Sequence, residues 1–88
     1  MSGRSGWFVY LVRCGDGTLY CGVTNDLAKR IAAHNSGKGA RYTRSRRPVV
    51  LVWTKRCRSK SGALKAEYAT KRLTRAGKDR LVAAWRMK

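Results

Sequence analysis

WFVYLV at residues 7–12 and TLYCGVT at residues 18–24 enclose the triplet GDG at residues 15–17. Both segments are rich in the aromatic and β-branched residues that strands favour, and glycine and aspartate between them favour a chain reversal. The first segment is apolar throughout, which is typical of a strand buried on both faces. The stretch therefore predicts a β-hairpin with a well-buried first strand.

The segment after the hairpin predicts a helix that ends before Gly37. Thr24-Asn25-Asp26 supplies capping side chains and an acid at the amino-terminal end of this helix. Apolar spacing continues through Leu27, Ala28, Ile31, Ala32 and Asn35. Arg30 and His34 are four residues apart, so they share one edge of the apolar stripe.

The second half predicts one strand and two helices. The apolar run VVLVW at 49–53 indicates a third strand that is central or well covered. Ser61 can cap a helix to about Leu73, and Ala76-Gly77 is expected to break it before a short third helix. The expected packing positions are Ala63, Ala66, Ala69, Thr70 and Leu73 on the second helix, and Leu81, Val82 and Trp85 on the third. The order ββαβαα predicts an α/β (α+β) fold, a three-stranded, mostly antiparallel sheet flanked by three helices.

Length and charge restrict the class of protein. Eighty-eight residues make one domain, which we place at residues 7–88 after a flexible lead-in at residues 1–6. The net charge of +17 predicts a polyanionic partner, and nucleic acid fits better than anionic lipid because no helix pairs a lysine-rich face with a bulky apolar one. A hydrophobic fraction of 43% argues against a disordered polycation.

Other features point to a cytoplasmic protein without a membrane partner. There is neither a signal peptide nor an apolar run near 18 residues. Cys14, Cys21 and Cys57 lack zinc-knuckle spacing, so free thiols are expected. No obligate protein partner is evident from the sequence.

The hairpin carries two tyrosines, Tyr10 and Tyr20. If the hairpin loop has an odd number of residues, both project from the same face and can share a site. An even loop would separate them, and as ordinary strand tyrosines they would need no function.

Three further residues could carry chemistry, although each has a structural alternative. Glu67, the only glutamate, lies mid-helix at the margin of the apolar stripe, where it could hold a hard divalent cation or form a salt bridge. Arg30 offers a planar fork for phosphate oxygens. His34 is the only histidine, and lone histidines are often structural.

These residues, in this order, resemble the GIY-YIG nucleases, and especially their small stand-alone bacterial members. FVY at 8–10 and YCG at 20–22 stand where the two family triplets lie, followed by Arg30, His34 and Glu67. HNSGKGARYT at 34–43 and the stretch from Pro48 also resemble those members, and the similarity runs from Trp7 to Val82. The first triplet lacks its glycine and isoleucine. The family's later asparagine is replaced by Asp79, beside Lys78.

The resemblance implies the GIY-YIG fold and hydrolysis of DNA with one Mg²⁺ or Mn²⁺ ion held by Glu67. Tyr10 would orient or deprotonate the attacking water, with its pKa lowered by Arg30 and by His34, which could also relay the proton. Tyr20 would bond Tyr10 or the phosphate, and Gly22 would permit close backbone approach. A bare module suggests structure-selective or weakly sequence-selective cutting in DNA repair or processing, and RNA is a possible substrate.

The glycine-punctuated segment 35–48 predicts a basic loop that follows a phosphate backbone, or else a solvated charged loop. Its expected nucleic-acid contacts are Lys38, Arg41, Tyr42, Arg44, Arg46 and Arg47, with Tyr42 able to stack on a base. Two other functions remain open: a nucleic-acid-binding module on the same fold that does not cut, and a ribosome-associated basic protein.

Overall fold

The computed structural model describes residues 6–87. Its elements are β1 (Trp7–Arg13), β2 (Leu19–Thr24), α1 (Leu27–Asn35), α2 (Arg41–Arg44), β3 (Val50–Cys57), α3 (Lys60–Lys71) and α4 (Arg75–Arg86). The sheet order is β2-β1-β3, and both strand pairs are antiparallel. The predicted α+β class is confirmed. Of the lead-in predicted at residues 1–6, all but Gly6 lies outside the described residues.

Strand β1 divides the core into two layers. Val9 and Leu11 pack with side chains of α3 and α4, whereas Tyr10 and Val12 point to the opposite face and pack against α1. All four side chains are essentially inaccessible to solvent. The unbroken apolar run of β1 is thus explained by burial on both faces.

Strand β3 is an edge strand. Of the two predicted placements, central or well covered, the second holds, because side chains of α3 and α4 pack against Val52 and Trp53. The strand is also longer than the predicted 49–53, because Thr54 to Cys57 continue the pairing with β1. Lys55 and Arg56 are exposed there, as the open side of an edge strand allows. A bulge between Leu11 and Val12 shifts the register.

The helix boundaries differ from the predictions for local reasons. Ser59, rather than Ser61, caps α3 by accepting a hydrogen bond from the Gly62 amide. Ala69 lies on the exposed side of α3, and Leu73 is exposed because it lies beyond the end of α3 at Lys71. The break predicted at Ala76-Gly77 was also wrong.

Helix α4 begins earlier than that break. The Thr74 side chain accepts a hydrogen bond from the Gly77 amide and caps the helix, so Ala76 and Gly77 lie within its first turn. The chain direction therefore changes between α3 and α4, at residues 72–74.

The basic loop contains a fourth helix, α2, which the prediction of three helices omitted. Asn35 attaches the far end of this loop to β3. Its side chain accepts a hydrogen bond from the Val49 amide at 2.7 Å and donates one to the Val49 carbonyl at 3.0 Å. These two bonds fix the loop on the α1 side of the sheet.

No helix in the described part of the chain, residues 6–87, is long and apolar enough to cross a membrane.

Candidate active site

The hairpin register places Tyr10 and Tyr20 on one face of the sheet. Tyr10 is opposite Gly22, and Val12 is opposite Tyr20, so the two tyrosines are diagonal neighbours. Five residues, 14–18, separate the strands. The expectation that an odd loop brings the tyrosines to one face is confirmed.

Gly22 makes room for the side chain of Tyr10. A β-carbon at position 22 would overlap the Tyr10 hydroxyl and lie 2.6 Å from Cζ. The ring of Tyr10 thus lies across Gly22, from the central strand towards the edge strand β2. The absence of a side chain at Gly22 is what lets the Tyr10 hydroxyl reach the cleft at that edge.

Helix α1 brings two side chains to the Tyr10 hydroxyl. Arg30 Nε donates a hydrogen bond to it at 3.4 Å, and His34 Nε2 lies 2.9 Å from it. Asp26 caps this helix by accepting from the Lys29 amide, which fixes where α1 begins. Four-residue spacing then directs Arg30 and His34 towards the same strand.

Thr43 determines the tautomer that we assign to His34. Its hydroxyl donates to the Ala40 carbonyl at 2.9 Å and lies 2.8 Å from His34 Nδ1. Since the single hydroxyl proton goes to Ala40, Nδ1 carries the imidazole proton and donates to Thr43. His34 Nε2 is then the acceptor for the Tyr10 hydroxyl.

The pKa values agree with a neutral pair in the resting site. Burial lowers the pKa of His34, with a further reduction from the charge of Arg30, so the imidazole is neutral near pH 7. Burial also raises the pKa of Tyr10, by more than the hydrogen bond and charge of Arg30 lower it. The expectation of a net lowered Tyr10 pKa was therefore wrong.

A cavity of about 380 Å³ adjoins these groups. Tyr10, Tyr20, Gly22 and Arg30 line it from the hairpin and α1, and Glu67 lines it from α3. His34 is fully buried behind Tyr10 and does not line the cavity. The structure therefore gathers all six residues of the sequence-based site, five at the cavity and one beneath it.

Glu67 is the only carboxylate that lines this cavity. Its side chain is 19% exposed, and its Oε2 lies 3.4 Å from Lys71 Nζ, one turn further along α3. Residues 6–87 contain no cluster of three or more histidine, cysteine or acidic side chains suited to a metal. One carboxylate fits Mg²⁺ or Mn²⁺, which can take their other ligands from water and phosphate oxygens.

The basic loop is partly structural. Arg46 pairs with Asp16 at 3.0 Å, and the Arg47 guanidinium donates to the carbonyl oxygens of Arg44 and Asn35. Lys38, Arg41 and Arg44 are exposed. Their side chains make no hydrogen bond or ion pair with other described residues, so these three cations are the ones available to phosphates.

Tyr42 packs within the protein. Its ring stacks on Tyr20 with centroids 5.8 Å apart, and the Arg46 guanidinium lies 4.0 Å from its centroid. These contacts hold the Tyr42 ring against Tyr20, while the residue remains 37% exposed. The contact also places α2 beside the Tyr20 wall of the cavity.

Asp79 does not replace the family's later polar residue in the cavity. It pairs with Arg75 at 3.0 Å, is half exposed and does not line the site. Lys78 is partly buried. Lys78 does not line the cavity either.

Sequence reasoning missed several residues that shape the site. Thr43 holds His34, and Lys60 and Trp7 line the cavity. Gly39 is a fourth, because a β-carbon there would lie 2.8 Å from the His34 Cα. Only tertiary packing brings these residues to the site, although the small residues near position 39 were a usable signal of close approach.

Several bacterial and archaeal proteins are similar to this chain. A UPF0213 protein of Desulfotalea psychrophila is 58% identical and covers 92% of this chain and 74% of its own length. A UPF0213 protein of Natronomonas pharaonis is 51% identical over 86% of this chain and 89% of its own.

Two solution NMR structures share the fold. The UPF0213 protein BH0048 of Bacillus halodurans has a TM-score of 0.58 and 46% identity, covering 90% of this chain and 84% of that one. The protein EF2693 of E. faecalis has a TM-score of 0.64 and 36% identity, covering 100% and 94%. The sequence model of the GIY-YIG catalytic domain matches residues 6–80. With that match and the clustering of its two tyrosines, arginine and glutamate around one cavity, the chain belongs to the GIY-YIG family, a family of nucleases.

Proposed function

We propose that this protein is a metal-dependent endonuclease that hydrolyses DNA phosphodiester bonds. The observation that carries the proposal is the convergence of Tyr10, Arg30 and Glu67 on one cavity, with Gly22 as the gap through which the Tyr10 hydroxyl reaches it. Glu67 would hold one Mg²⁺ or Mn²⁺ ion. When bound, such an ion supplies a Lewis acid for phosphate and leaving-group oxygens.

The hydrogen bonds at Tyr10 support a role for it as acceptor of a proton from the attacking water. Its proton points to His34 Nε2, so a lone pair of the phenol oxygen can face a water molecule in the cavity. As the water oxygen attacks phosphorus and the phosphorus–oxygen bond to the leaving group breaks, a water proton passes to the Tyr10 oxygen and the phenol proton passes to His34. The leaving oxygen then takes a proton from solvent. Because burial raises the Tyr10 pKa and lowers that of His34, we infer that the transfers to Tyr10 and His34 occur together, without a free phenolate.

The remaining residues bind and orient the reacting groups. Arg30 keeps its charge at any working pH and can bond both Tyr10 and the phosphoryl oxygens that gain charge in the transition state. The Tyr20 hydroxyl would bond the phosphate from the same wall. Its ring is held against Tyr42 and, edge-on, against His34 at 5.5 Å.

The substrate contacts favour weak sequence selectivity. The available cations of the basic loop, Lys38, Arg41 and Arg44, would bind phosphates, which carry no direct sequence information. We therefore propose structure-selective or weakly selective cutting of DNA during repair or processing. RNA is a second substrate to be assayed beside DNA.

A non-cutting nucleic-acid-binding module is the second candidate, and one observation favours it. The ion pair with Lys71 gives Glu67 a structural role without a metal. That pair is weak, however, since Lys71 is half exposed and exposed pairs one helical turn apart contribute about 0.3–0.5 kcal/mol.

The test is cleavage of supercoiled plasmid, linear duplex, branched DNA and RNA with Mg²⁺, Mn²⁺ or EDTA. Glu67→Gln and Tyr10→Phe should lose cleavage in every metal and keep DNA binding. Asp79→Asn is the matched control, because Asp79 also pairs with a cation four residues away but does not line the cavity. Binding without cleavage in any metal, unchanged in Glu67→Gln, would establish the binding module instead.

Lys71→Ala separates the two roles of Glu67. If Glu67 holds the metal, removal of Lys71 frees the carboxylate, so half-maximal cleavage should need no more metal than in the wild type. If Glu67 serves only the ion pair, Lys71→Ala and Glu67→Gln should cause the same small loss of stability and no other change.

A further inference from the structure

A second, larger cavity of about 730 Å³ adjoins the candidate active site. It shares two lining residues, Trp7 and Lys60, with the 380 Å³ cavity that holds Tyr10 and Glu67. Its remaining lining comes from the end of β3, from the turn between β3 and α3, and from Gly6. The two cavities therefore adjoin each other at Trp7 and Lys60.

The larger cavity is strongly basic. Arg56, Arg58 and Lys60 line it, and all three residues are exposed. We call these three residues the turn cations. No aspartate or glutamate lines the cavity.

The acids of the chain are engaged elsewhere. Among residues 6–87, ion pairs occupy Asp16, Glu67 and Asp79, and none of them involves Arg58 or Lys60. The fourth acid, Asp26, caps α1. Lys60 Nζ lies 5.5 Å from the centroid of Trp7, at the boundary of the two cavities. Arg58 and Lys60 thus face solvent rather than a carboxylate of the described residues.

The turn cations and the basic loop lie on opposite sides of Tyr10 along the hairpin. Trp7 begins β1 and is opposite Cys57, next to Arg58, whereas Tyr20 is opposite Val12 and stacks on Tyr42 of the basic loop. Positions 7 and 12 are five residue steps apart along the strand, a distance of about 17 Å at 3.3 Å per residue. At about 3.4 Å of rise per nucleotide, that length corresponds to roughly five nucleotides of one strand.

We propose that the groove of the turn cations binds the phosphodiester backbone of the nucleic-acid strand that is cut. It would hold the strand on the side of the scissile phosphate opposite to the segment held by Lys38, Arg41 and Arg44. The strand passes over Tyr10 and Glu67 between these two basic patches. This inference rests on the proposed function for its ligand, and it adds a binding site that lies outside the basic loop.

The first experiment measures binding without cleavage. Fluorescence anisotropy of a labelled 20-nucleotide single strand is recorded in EDTA over a range of salt concentrations. Arg58→Ala and Lys60→Ala should each lower affinity and reduce the slope of log K against log salt by about 0.7, the value for one single-strand phosphate contact. Arg80→Ala is the matched control, since Arg80 is exposed on α4 and lines neither cavity.

The second experiment fixes the side of the strand. After the cut in a long substrate is mapped, either flank is shortened in steps below five nucleotides. Shortening one flank should erase the difference in binding affinity between wild type and Arg58→Ala. Shortening the other flank should erase the difference in binding affinity between wild type and Arg44→Ala.

The outcomes separate failure of the groove proposal from failure of the proposed nuclease function. Identical affinities and salt slopes for Arg58→Ala, Lys60→Ala and Arg80→Ala would overturn the groove, whether or not the wild type cuts. If shortening the same flank erases the affinity losses of both Arg58→Ala and Arg44→Ala, the turn cations and the basic loop do not lie on opposite sides of the scissile phosphate. If no metal supports cleavage by the wild type but Arg58→Ala still has a reduced salt slope, the groove is retained as a binding site and the nuclease function is rejected.

Discussion

The Tyr10 hydroxyl lies 2.9 Å from His34 Nε2, in the buried layer between strand β1 and helix α1. With Arg30 donating to the same hydroxyl and Thr43 holding Nδ1, a chain of hydrogen bonds runs from the cavity into the protein. Every buried side-chain polar atom among the described residues has a partner. The site is therefore held in place by the fold itself, which is the arrangement that efficient proton transfer requires.

Gly22→Ala should disable the site through Tyr10. The added methyl overlaps the Tyr10 hydroxyl and Cζ, so the ring must move. We expect a loss of about 1–3 kcal/mol in the free energy of unfolding from overpacking. Displacement of the hydroxyl by about 1 Å should reduce cleavage on the order of 100-fold. Urea denaturation and single-turnover cleavage measure the two effects.

Gly62→Ala is the control for this substitution. Position 62 lies in α3, and a β-carbon there meets nothing closer than 3.4 Å. Alanine in a helix is more stable than glycine by about 0.5–1 kcal/mol, so this variant should be at least as stable as the wild type and equally active. Equal activity in Gly22→Ala and the wild type would contradict the role assigned to Gly22.

Thr43→Val should show that Thr43 positions His34. The change leaves the Nδ1 proton of His34 buried without an acceptor, which costs about 1–3 kcal/mol. Cleavage should fall at saturating substrate, with DNA affinity unchanged, because Thr43 is buried and does not line the cavity. Thr43→Ser keeps the hydroxyl and should restore cleavage. If serine and valine variants cut equally slowly, the hydroxyl is not what Thr43 contributes.

The stability of the protein should decrease between pH 7.5 and pH 5 because of His34. Burial and Arg30 lower the pKa of His34 in the folded state, whereas in the unfolded chain it stays near its ordinary value of about 6.5. The unfolded state therefore binds the proton first, and falling pH favours unfolding. The slope for one proton is at most about 1.4 kcal/mol per pH unit.

His34→Gln removes this titration. Urea denaturation at several pH values should give a flatter dependence for the variant than for the wild type over this range. Parallel curves for the two proteins would mean that His34 does not carry the pH dependence.

Thiol labelling should distinguish the three cysteines. Cys14 and Cys21 are buried, whereas Cys57 is partly exposed in the groove of the turn cations. Burial, together with the nearby Glu67 carboxylate, raises the pKa of Cys21 to about 11, so little thiolate forms at pH 8. A disulfide-exchange reagent should modify one thiol rapidly in the native protein and none in Cys57→Ser. Rapid modification of two or three thiols would contradict the packing of β1 and β2.

Local sequence signals predicted most of the architecture. The apolar run of β1, the Gly-Asp-Gly reversal and the Asp26 cap each act over a few residues, and all three are realised. The errors occur where neighbours along the chain do not decide the outcome. Gly77 suggests a helix break, but the Thr74 side chain caps the helix three residues earlier. The apolar VVLVW predicted a strand that is central or well covered, and only tertiary packing shows that β3 is an edge strand covered by α4.

The sequence alone determined which residues could form the site, because their types and order match a family pattern and their spacing sets the hairpin and helix faces. Tertiary structure alone decided how these residues meet. Only the packing of α1 against β1 shows that His34 accepts from Tyr10, and only the turn after β3 brings Lys60 to Trp7. The physical reason is distance along the chain. A hydrogen bond between positions 10 and 34, or a cavity shared by positions 7 and 60, depends on loop closure and burial, which no local pattern encodes.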